Sequence, residues 1–530
     1  MPVSAHLVDA LREDLTSAHY TVDVVDELLG PIASRALGRE QPLPARRALA
    51  SRTERAAVLA RGFLLGEPLT RRDLDGALPG CRTDGAVALG LVEASGNGPD
   101  DVVRAALDLR PYAATDAAGT SDWWVASDLG GLATDGALRT DHVLGIGGAS
   151  TTLAQATIRP HVGRTLDLGT GCGVQALHAS RHSARVTATD ISTRALRIAA
   201  LNLALAGVAD RVDLRHGDML EPVAGERFDL VVSNPPFVVT PRRPGVPAYE
   251  YRDAGLVGDE VVRRLVTGVG SVLAPGGTAQ LLGCWEVRRG QTWADRLEAW
   301  LESAREEQAA RGDGALDAWV VQRELQDPAE YAETWIRDGH EPPGARFDEL
   351  YGAWLDDFAA RDVEAIGFGL ITLRRPAADS AGATAHGWTR LEEQYGPVRQ
   401  PLGSHLQRCL EARDLLATID ALDAGGASHD QAGLLDSRWV VAPDVTEERH
   451  LRPGDADPAA ILLRQTEGFG RTVRVGTKAA AVVGACDGEL TLGQITAAVA
   501  VLLGEAEGEV RARVLGVVRD LIGDALLLPA

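Results

Sequence analysis

Two short runs hold residue types whose spacing could do chemistry. The first, Asp167-Leu168-Gly169-Thr170-Gly171-Cys172-Gly173, lies between a strand-like segment and a helical one. Glycines at such a junction let the backbone approach a ligand at the carboxyl end of a parallel sheet, so this is a nucleotide-type binding turn. Gly171-x-Gly173-x-x-Ala176 also satisfies the dinucleotide fingerprint. Asp190 lies about 20 residues beyond its start, where a ribose-binding acid belongs. On these residues alone a nicotinamide-dependent oxidoreductase stays open. The second run is Ser233-Asn234-Pro235-Pro236-Phe237, directly after a later strand. Other chemistries find less support. His178 and His182 lie four residues apart on the helix after the glycine turn. They lack a His-Glu-x-x-His motif and a third ligand, so a solvated helix face is expected and no metal site. No Gly-x-Ser-x-Gly elbow occurs, Cys172 reads as a small residue tolerated in the turn, and Lys478 is the sole lysine, which disfavours Schiff-base chemistry.

The elements that must position these runs follow from periodicity. Between Arg164 and Arg375 strand and helix patterns alternate, the signature of a parallel sheet with crossover helices. Strands are predicted at Arg164–Leu168, Arg185–Asp190, Arg211–Leu214, Phe228–Ser233, Thr278–Gly283, Ala318–Arg323 and Ile366–Leu373. The stretch 327–362 carries Tyr331, Trp335, Tyr351, Trp354 and Phe358 at roughly helical spacing and is predicted as a helical insertion packed as core.

With Asp190 after the second strand, Gly217-Asp218-Met219 after the third and Asn234-Pro235-Pro236-Phe237 after the fourth, the chain resembles the class I S-adenosylmethionine-dependent methyltransferases that modify planar nitrogens. The likeness is to HemK-type glutamine methyltransferases and the related N6-adenine and N2-guanine methyltransferases. Val238-Val239-Thr240-Pro241 looks particularly like the HemK branch, whereas Tyr251–Asp259 departs from the commoner Gly-Gly pair of the segment after this loop. The resemblance spans about Leu144 to Arg375. It implies S-adenosyl-L-methionine as cofactor, held by Asp167, Gly169, Gly171, Gly173, Asp190, Ile191, Asp218, Met219 and Asn234. It also implies Asn234, Pro235, Pro236 and Phe237 as the catalytic loop. The Asn234 side-chain oxygen and the Pro235 carbonyl would accept the two hydrogens of the target amine, Pro236 would stiffen the loop and Phe237 would stack on the planar group. An amide or exocyclic nitrogen has its lone pair delocalised, so two acceptors that favour a more tetrahedral nitrogen supply transition-state stabilisation without a strong base. Asn202 falls at a helix position often Asn in this group, with a helix-surface Asn as the alternative. Asp141-His142-Val143-Leu144-Gly145 falls where related enzymes cover the cofactor.

The flanks and composition bound the rest. At 530 residues the chain exceeds one core. Three regions are expected: an N-terminal winged-helix-like domain, 1–130; a methyltransferase domain, 131–376; and a C-terminal domain, 388–530, ending in a winged-helix-like module. The fold class is α/β, a seven-stranded Rossmann-like methyltransferase sheet between two α+β domains. Helical spacing over Glu54–Leu65, a capping box at Thr70–Asp73, a turn at Gly96-Asn97-Gly98 and strand candidates at Val102–Leu109 and Trp123–Val125 support the first. Ala377–Ala385, small and polar, marks a linker. Thr491–Gln494 caps a helix; Val510, Val514, Val517, Val518 and Leu521 line the face of the next; and Ala525–Leu528 is a strand candidate.

A net charge of −22 opposes a phosphate backbone. Arg242, Arg243, Arg252, Arg263 and Arg264 nevertheless form a candidate basic rim beside the second run, facing either substrate phosphate or solvent. Five scattered cysteines without paired spacing suit a reducing cytoplasm, and no apolar run is long enough to span a membrane. The expected activity is N-methylation of a planar amide or exocyclic amine in a macromolecule: protein glutamine, RNA or DNA. A non-catalytic nucleotide-sensing winged-helix regulator and an NAD-dependent oxidoreductase are the alternatives, and oligomeric state stays open.

Overall fold

The computed structural model of the chain describes residues 4–130, 139–243, 246, 252, 255–339, 341, 343–377, 387–425, 433–455 and 457–530. The chain divides into two compact units. One comprises Met1–Ala154, Pro160–Arg375 and Thr389–Glu393, the other Gln155–Arg159, Pro376–Trp388 and Gln394–Ala530.

The first unit opens with α1 (Ala5–Ser17), α2 (Val22–Leu37), α3 (Leu43–Leu49) and α4 (Arg55–Leu59). The helical pattern predicted over Glu54–Leu65 is realised as α4 running into a π-helical turn, Ala60–Leu64. β1 (Leu69–Thr70), α5 (Arg71–Ala77), α6 (Arg82–Ala88), β2 (Val92–Ala94) and β3 (Val102–Ala105) follow, the strands forming an antiparallel sheet ordered β1-β3-β2. Thr70 caps α5, its hydroxyl oxygen accepting from the Asp73 amide at 3.1 Å. A hairpin of β4 (Asp108–Asp116) and β5 (Gly119–Ser127) completes this part.

After α7 (Gly148–Ala156) the alternating region builds the main sheet. Its elements are β6 (Val162–Leu168), α8 (Val174–Ala179), β7 (Ser183–Asp190), α9 (Thr193–Leu205), β8 (Val212–His216), β9 (Phe228–Ser233), α10 (Glu260–Gly268), β10 (Leu273–Arg288), α11 (Trp293–Arg311) and β11 (Asp317–Gln326). Then come α12 (Pro328–Asp338), α13 (Ala345–Ala360), β12 (Val363–Arg374) and β13 (Thr389–Glu393). The order is β13-β11-β12-β10-β9-β6-β7-β8, with β12 antiparallel to both neighbours. Leu230, Val231 and Val232 of β9 are wholly buried, as a strand covered on both faces requires.

All seven predicted strands occur, and β13 is an eighth, so the expected count is corrected. Thr389–Glu393 is short and mostly polar, with little strand pattern of its own. It is placed by parallel pairing with β11, where the Trp319 indole donates to Glu392 at 2.7 Å. The insertion at 327–362 is the pair α12 and α13, in which Tyr331, Trp354 and Phe358 are buried while Trp335 and Tyr351 are half-buried.

The second unit contains α14 (Gly403–Gly425) and two three-stranded sheets. One sheet pairs β15 (Val445–His450), β16 (Ala460–Gln465) and β17 (Thr472–Val475), and the other is ordered β18-β14-β19 from β14 (Arg438–Val441), β18 (Asp487–Thr491) and β19 (Leu527–Pro529). Against them lie α15 (Thr477–Gly484), α16 (Leu492–Leu503) and α17 (Glu507–Gly523). A reciprocal capping box of Thr491 and Gln494 opens α16, and Val510, Val514, Val518 and Leu521 bury the inner face of α17, with Val517 partly buried beside them. Of the predicted linker, Ala377 is described and the rest lies outside the described residues.

Candidate functional site

The order of the main sheet reverses at β6, which has β9 on one side and β7 on the other. A ligand crevice opens beyond the strands' carboxyl ends at such a switch point. The glycine turn leaves β6 there. Gly169, Gly171 and Gly173 take φ of 73°, 56° and 90°, in the left-handed region that favours glycine. A Cβ at Gly173 would also stand 3.2 Å from the Cβ of Ala199, so α8 and α9 pack through it. Asp167 is 1% exposed, and the Thr170 hydroxyl donates to its Oδ2 at 2.6 Å. Its Oδ1 is buried with no partner among the described residues, and burial pushes the carboxyl up to about 7.

Asp190 ends β7, where its two carboxylate oxygens accept from the Gly171 and Ser192 amides, each at 2.8 Å. Burial raises its pKa while these amides pull it back. Beyond β8, Asp218 is exposed, Met219 has a φ of 47°, and the Gly217 amide donates to the Asp190 carbonyl. Ile191, beside Asp190, is an exposed large apolar residue. The predicted cofactor residues thus line successive strand ends on one edge.

Leu168 pairs with Ser233, which puts Asn234 beside the glycine turn. The Ser233 hydroxyl donates to the Leu168 carbonyl at 2.7 Å and fastens the two strand ends. Asn234 Nδ2 donates to the Ser150 hydroxyl at 3.4 Å, and the Ser150 carbonyl accepts from Gln175 at 2.8 Å. This leaves Asn234 Oδ1 buried and without a partner among the described residues. Pro235 is buried, Pro236 is half-buried, and the Phe237 ring packs 5.3 Å from that of Phe368 on β12.

Three features depend on partners that the sequence did not reveal. Asn202 is wholly buried: its Oδ1 accepts from the Ala126 amide at 2.7 Å, and its Nδ2 donates to the Ala126 and Cys172 carbonyls, each at 2.8 Å. It ties the glycine turn to β5. The expected solvated face with His178 and His182 is corrected, because both are buried. His178 lies between Asp116 (2.6 Å) and the Tyr112 hydroxyl (3.0 Å) of the β4–β5 hairpin, and His182 Nδ1 donates to the Pro160 carbonyl at 2.8 Å. Partners so distant in sequence leave no local signal. The candidate basic rim is largely ion-paired, with Arg243, Arg263 and Arg264 still partly open to solvent, the second of its two expected settings. Arg252 is buried against Asp338, Arg263 and Arg264 both pair with Glu260, Arg243 reaches Asp356, and Arg242 donates to the Leu256 carbonyl.

In the Asp141–Gly145 segment His142 is buried and the Val143 amide donates to Asp128 Oδ2 at 2.8 Å, while Asp128 is paired with Arg194 of α9. Of Tyr251–Asp259, Tyr251, Asp253 and Ala254 lie outside the described residues. Among the described residues no group of three His, Cys, Asp or Glu could hold a metal ion, and no helix is long and apolar enough to cross a membrane.

Residues 145–246 match the methyltransferase small domain family. The central segment is a class I methyltransferase domain. Two further family models, each described as a domain of unknown function, match residues 17–106 and 424–529 on either side of the methyltransferase domain. The chain is 42% identical over 123 residues to a release factor glutamine methyltransferase of Moorella thermoacetica, covering 22% of this chain and 44% of that protein. It is 36% identical over 169 residues to a ribosomal protein uL3 glutamine methyltransferase of Bradyrhizobium diazoefficiens, covering 30% of this chain and 50% of that one. The chain therefore spans about half the length of the curated relatives it matches. Among solved structures, a SAM-dependent methyltransferase from Thiobacillus denitrificans in complex with S-adenosyl-L-homocysteine aligns with 42% of this chain and 90% of its own at 22% identity and a TM-score of 0.24.

Proposed function

We propose that the protein is an S-adenosylmethionine-dependent N-methyltransferase acting on a planar amide nitrogen, with protein glutamine as the favoured acceptor. The observation that carries this reading is Asn234 Oδ1, a buried acceptor without a partner among the described residues, next to the glycine turn. A buried polar atom of this kind costs stability, which function explains. The cofactor reading fits the same edge: Asp167 offers a second unpartnered buried oxygen, Gly169 and Gly171 bring backbone close, and Asp190, Ile191, Asp218 and Met219 lie at the next two strand ends. S-Adenosylmethionine, when bound, supplies an electrophilic sulfonium methyl. Asn234 Oδ1 and the Pro235 carbonyl orient the acceptor by taking its two hydrogens, which holds the lone pair out of the amide plane as positive charge develops on nitrogen. Phe237, braced on Phe368, bounds the planar group.

Protein glutamine is favoured over a nucleobase for two reasons. The arginines beside the loop are engaged with acidic side chains or, in Arg242, a backbone carbonyl, and relatives at 42% and 36% identity are named glutamine methyltransferases. The order α4, β1, α5, α6, β2, β3 with sheet β1-β3-β2 supports reading residues 54–105 as a winged-helix module that presents the substrate protein, within an N-terminal domain ending near residue 130. The order α15, β18, α16, α17, β19 supports a similar module at the end of the 388–530 region. Five buried cysteines that form no disulfide fit a cytoplasmic setting. The test labels an extract lacking the protein with purified enzyme and tritiated methyl donor, then hydrolyses the product in acid. Volatile labelled methylamine is expected, because a methylated glutamine amide releases it. Label that nuclease removes, or no label, would refute the assignment.

A further inference from the structure

We propose that the helical insertion splints the acceptor loop, with Tyr331 and Arg252 as positioning residues; the inference rests on the methyltransferase reading of that loop. From Asn234 to Arg243 the chain has no regular structure, yet Val238, Val239 and Thr240 are buried. Buried backbone without a ladder needs partners from elsewhere. The Val239 amide donates to the Tyr331 hydroxyl at 3.0 Å. That hydroxyl in turn lies 4.0 Å from Cys284 Sγ on β10, and the ring is enclosed by Trp354 and Phe358 of α13. The preceding amide, of Val238, donates to the Arg252 carbonyl at 2.8 Å. The Arg252 guanidinium donates to the Trp335 carbonyl at 2.9 Å and to Asp338 at 2.8 Å, and lies 5.6 Å from the Trp335 ring.

Two consecutive loop amides are therefore both referred to α12, one directly through Tyr331 and one through Arg252. The grip falls within a few residues of Pro235 and Phe237. Groups that must meet a planar amide at fixed distances work only if their own backbone is held, and displacement on the order of 1 Å can cost about a hundredfold in rate. Neither Tyr331 nor Arg252 is assigned contact with substrate; both act through the loop.

The experiment uses the full chain and the variants Tyr331→Phe and Asp338→Ala. Tyr331→Phe keeps the ring and removes the acceptor for a buried N–H, so amide exchange of the peptide containing Val238 to Thr240 should accelerate about tenfold or more. Turnover should fall by a similar factor with S-adenosylmethionine affinity unchanged, so kcat moves and cofactor Kd does not. Asp338→Ala, at a half-exposed side chain, should act in the same direction more weakly and serves if Tyr331→Phe accumulates poorly. Unchanged loop exchange in both variants overturns the proposal, as does faster exchange with undiminished kcat. A wild-type protein that binds cofactor but methylates no amide would overturn the proposed function instead, while exchange would still report whether α12 grips the loop.

Discussion

Replacing Asn234 by Ala separates function from stability in an unusual direction. In the free protein Asn234 Oδ1 is buried without a partner among the described residues, a state that costs about 1–3 kcal/mol. The side chain's hydrogen bond to Ser150 is long at 3.4 Å and contributes about 0.5 kcal/mol at most. Truncation also leaves a small void worth about 1 kcal/mol. These terms nearly cancel, so the unfolding free energy of Asn234→Ala should lie within about 1 kcal/mol of wild type, on either side, by urea titration. Turnover should behave quite differently. Removing a preorganised hydrogen-bonding group that matters most in the transition state costs about 2.7–4 kcal/mol, or roughly 100- to 1,000-fold in kcat. Cofactor affinity, read by calorimetry, should change only a few-fold. Asn234→Ala with kcat near wild type would sink the acceptor role. A loss of several kcal/mol of stability would show instead that the side chain is structural.

Other perturbations test the frame. Gly173→Ala imposes a Cβ at φ 90° and 3.2 Å from Ala199, so a loss of about 2 kcal/mol or more is expected in urea titration, together with weakened cofactor binding. Asn202→Leu strips partners from the Ala126 amide and carbonyl and from the Cys172 carbonyl, and should cost about 3 kcal/mol or more; a neutral variant would refute its anchoring role. Burial raises the Asp167 carboxyl to about 7 in the folded chain, against about 3.9 when unfolded. The folded state therefore holds the extra proton between those values, and stability from this group is full below the window and declines as pH rises through it. Wild type should gain on Asp167→Asn at pH 5 relative to pH 8, and a pH-independent difference would refute the burial argument. If the Asp167 carboxylate faces the cationic cofactor, affinity in wild type should also rise from pH 6 to pH 8, and Asp167→Asn should flatten that dependence in a binding titration.

Much of the site was legible because its determinants are local. A strand followed at once by Gly169, Gly171 and Gly173 has few uses, and all three glycines prove to need positive φ. Asn234 to Phe237 stands out because a Pro-Pro pair cannot continue a strand and must leave the sheet at its carboxyl end. Central strands such as β9 were readable for a similar reason, since strands covered on both faces show as apolar runs. The helical insertion was readable from aromatics at helical spacing.

What the sequence by itself determined is which residues can bind and polarise, and where along the chain they leave the sheet. Tertiary structure alone decided their company. The solvated face expected of His178 and His182 is instead a buried contact with the β4–β5 hairpin, Asn202 reaches across to β5 and the glycine turn, and the arginines expected as a rim are nearly all bound to acids distant in sequence or a turn away. Thr389–Glu393 became a strand only because β11 offered an open edge. The physical reason is common to all four. Dihedral preferences, glycine turns and apolar period act between near neighbours, whereas burial and hydrogen-bond partners depend on segments brought together by packing, and no residue's type reveals what will lie against it.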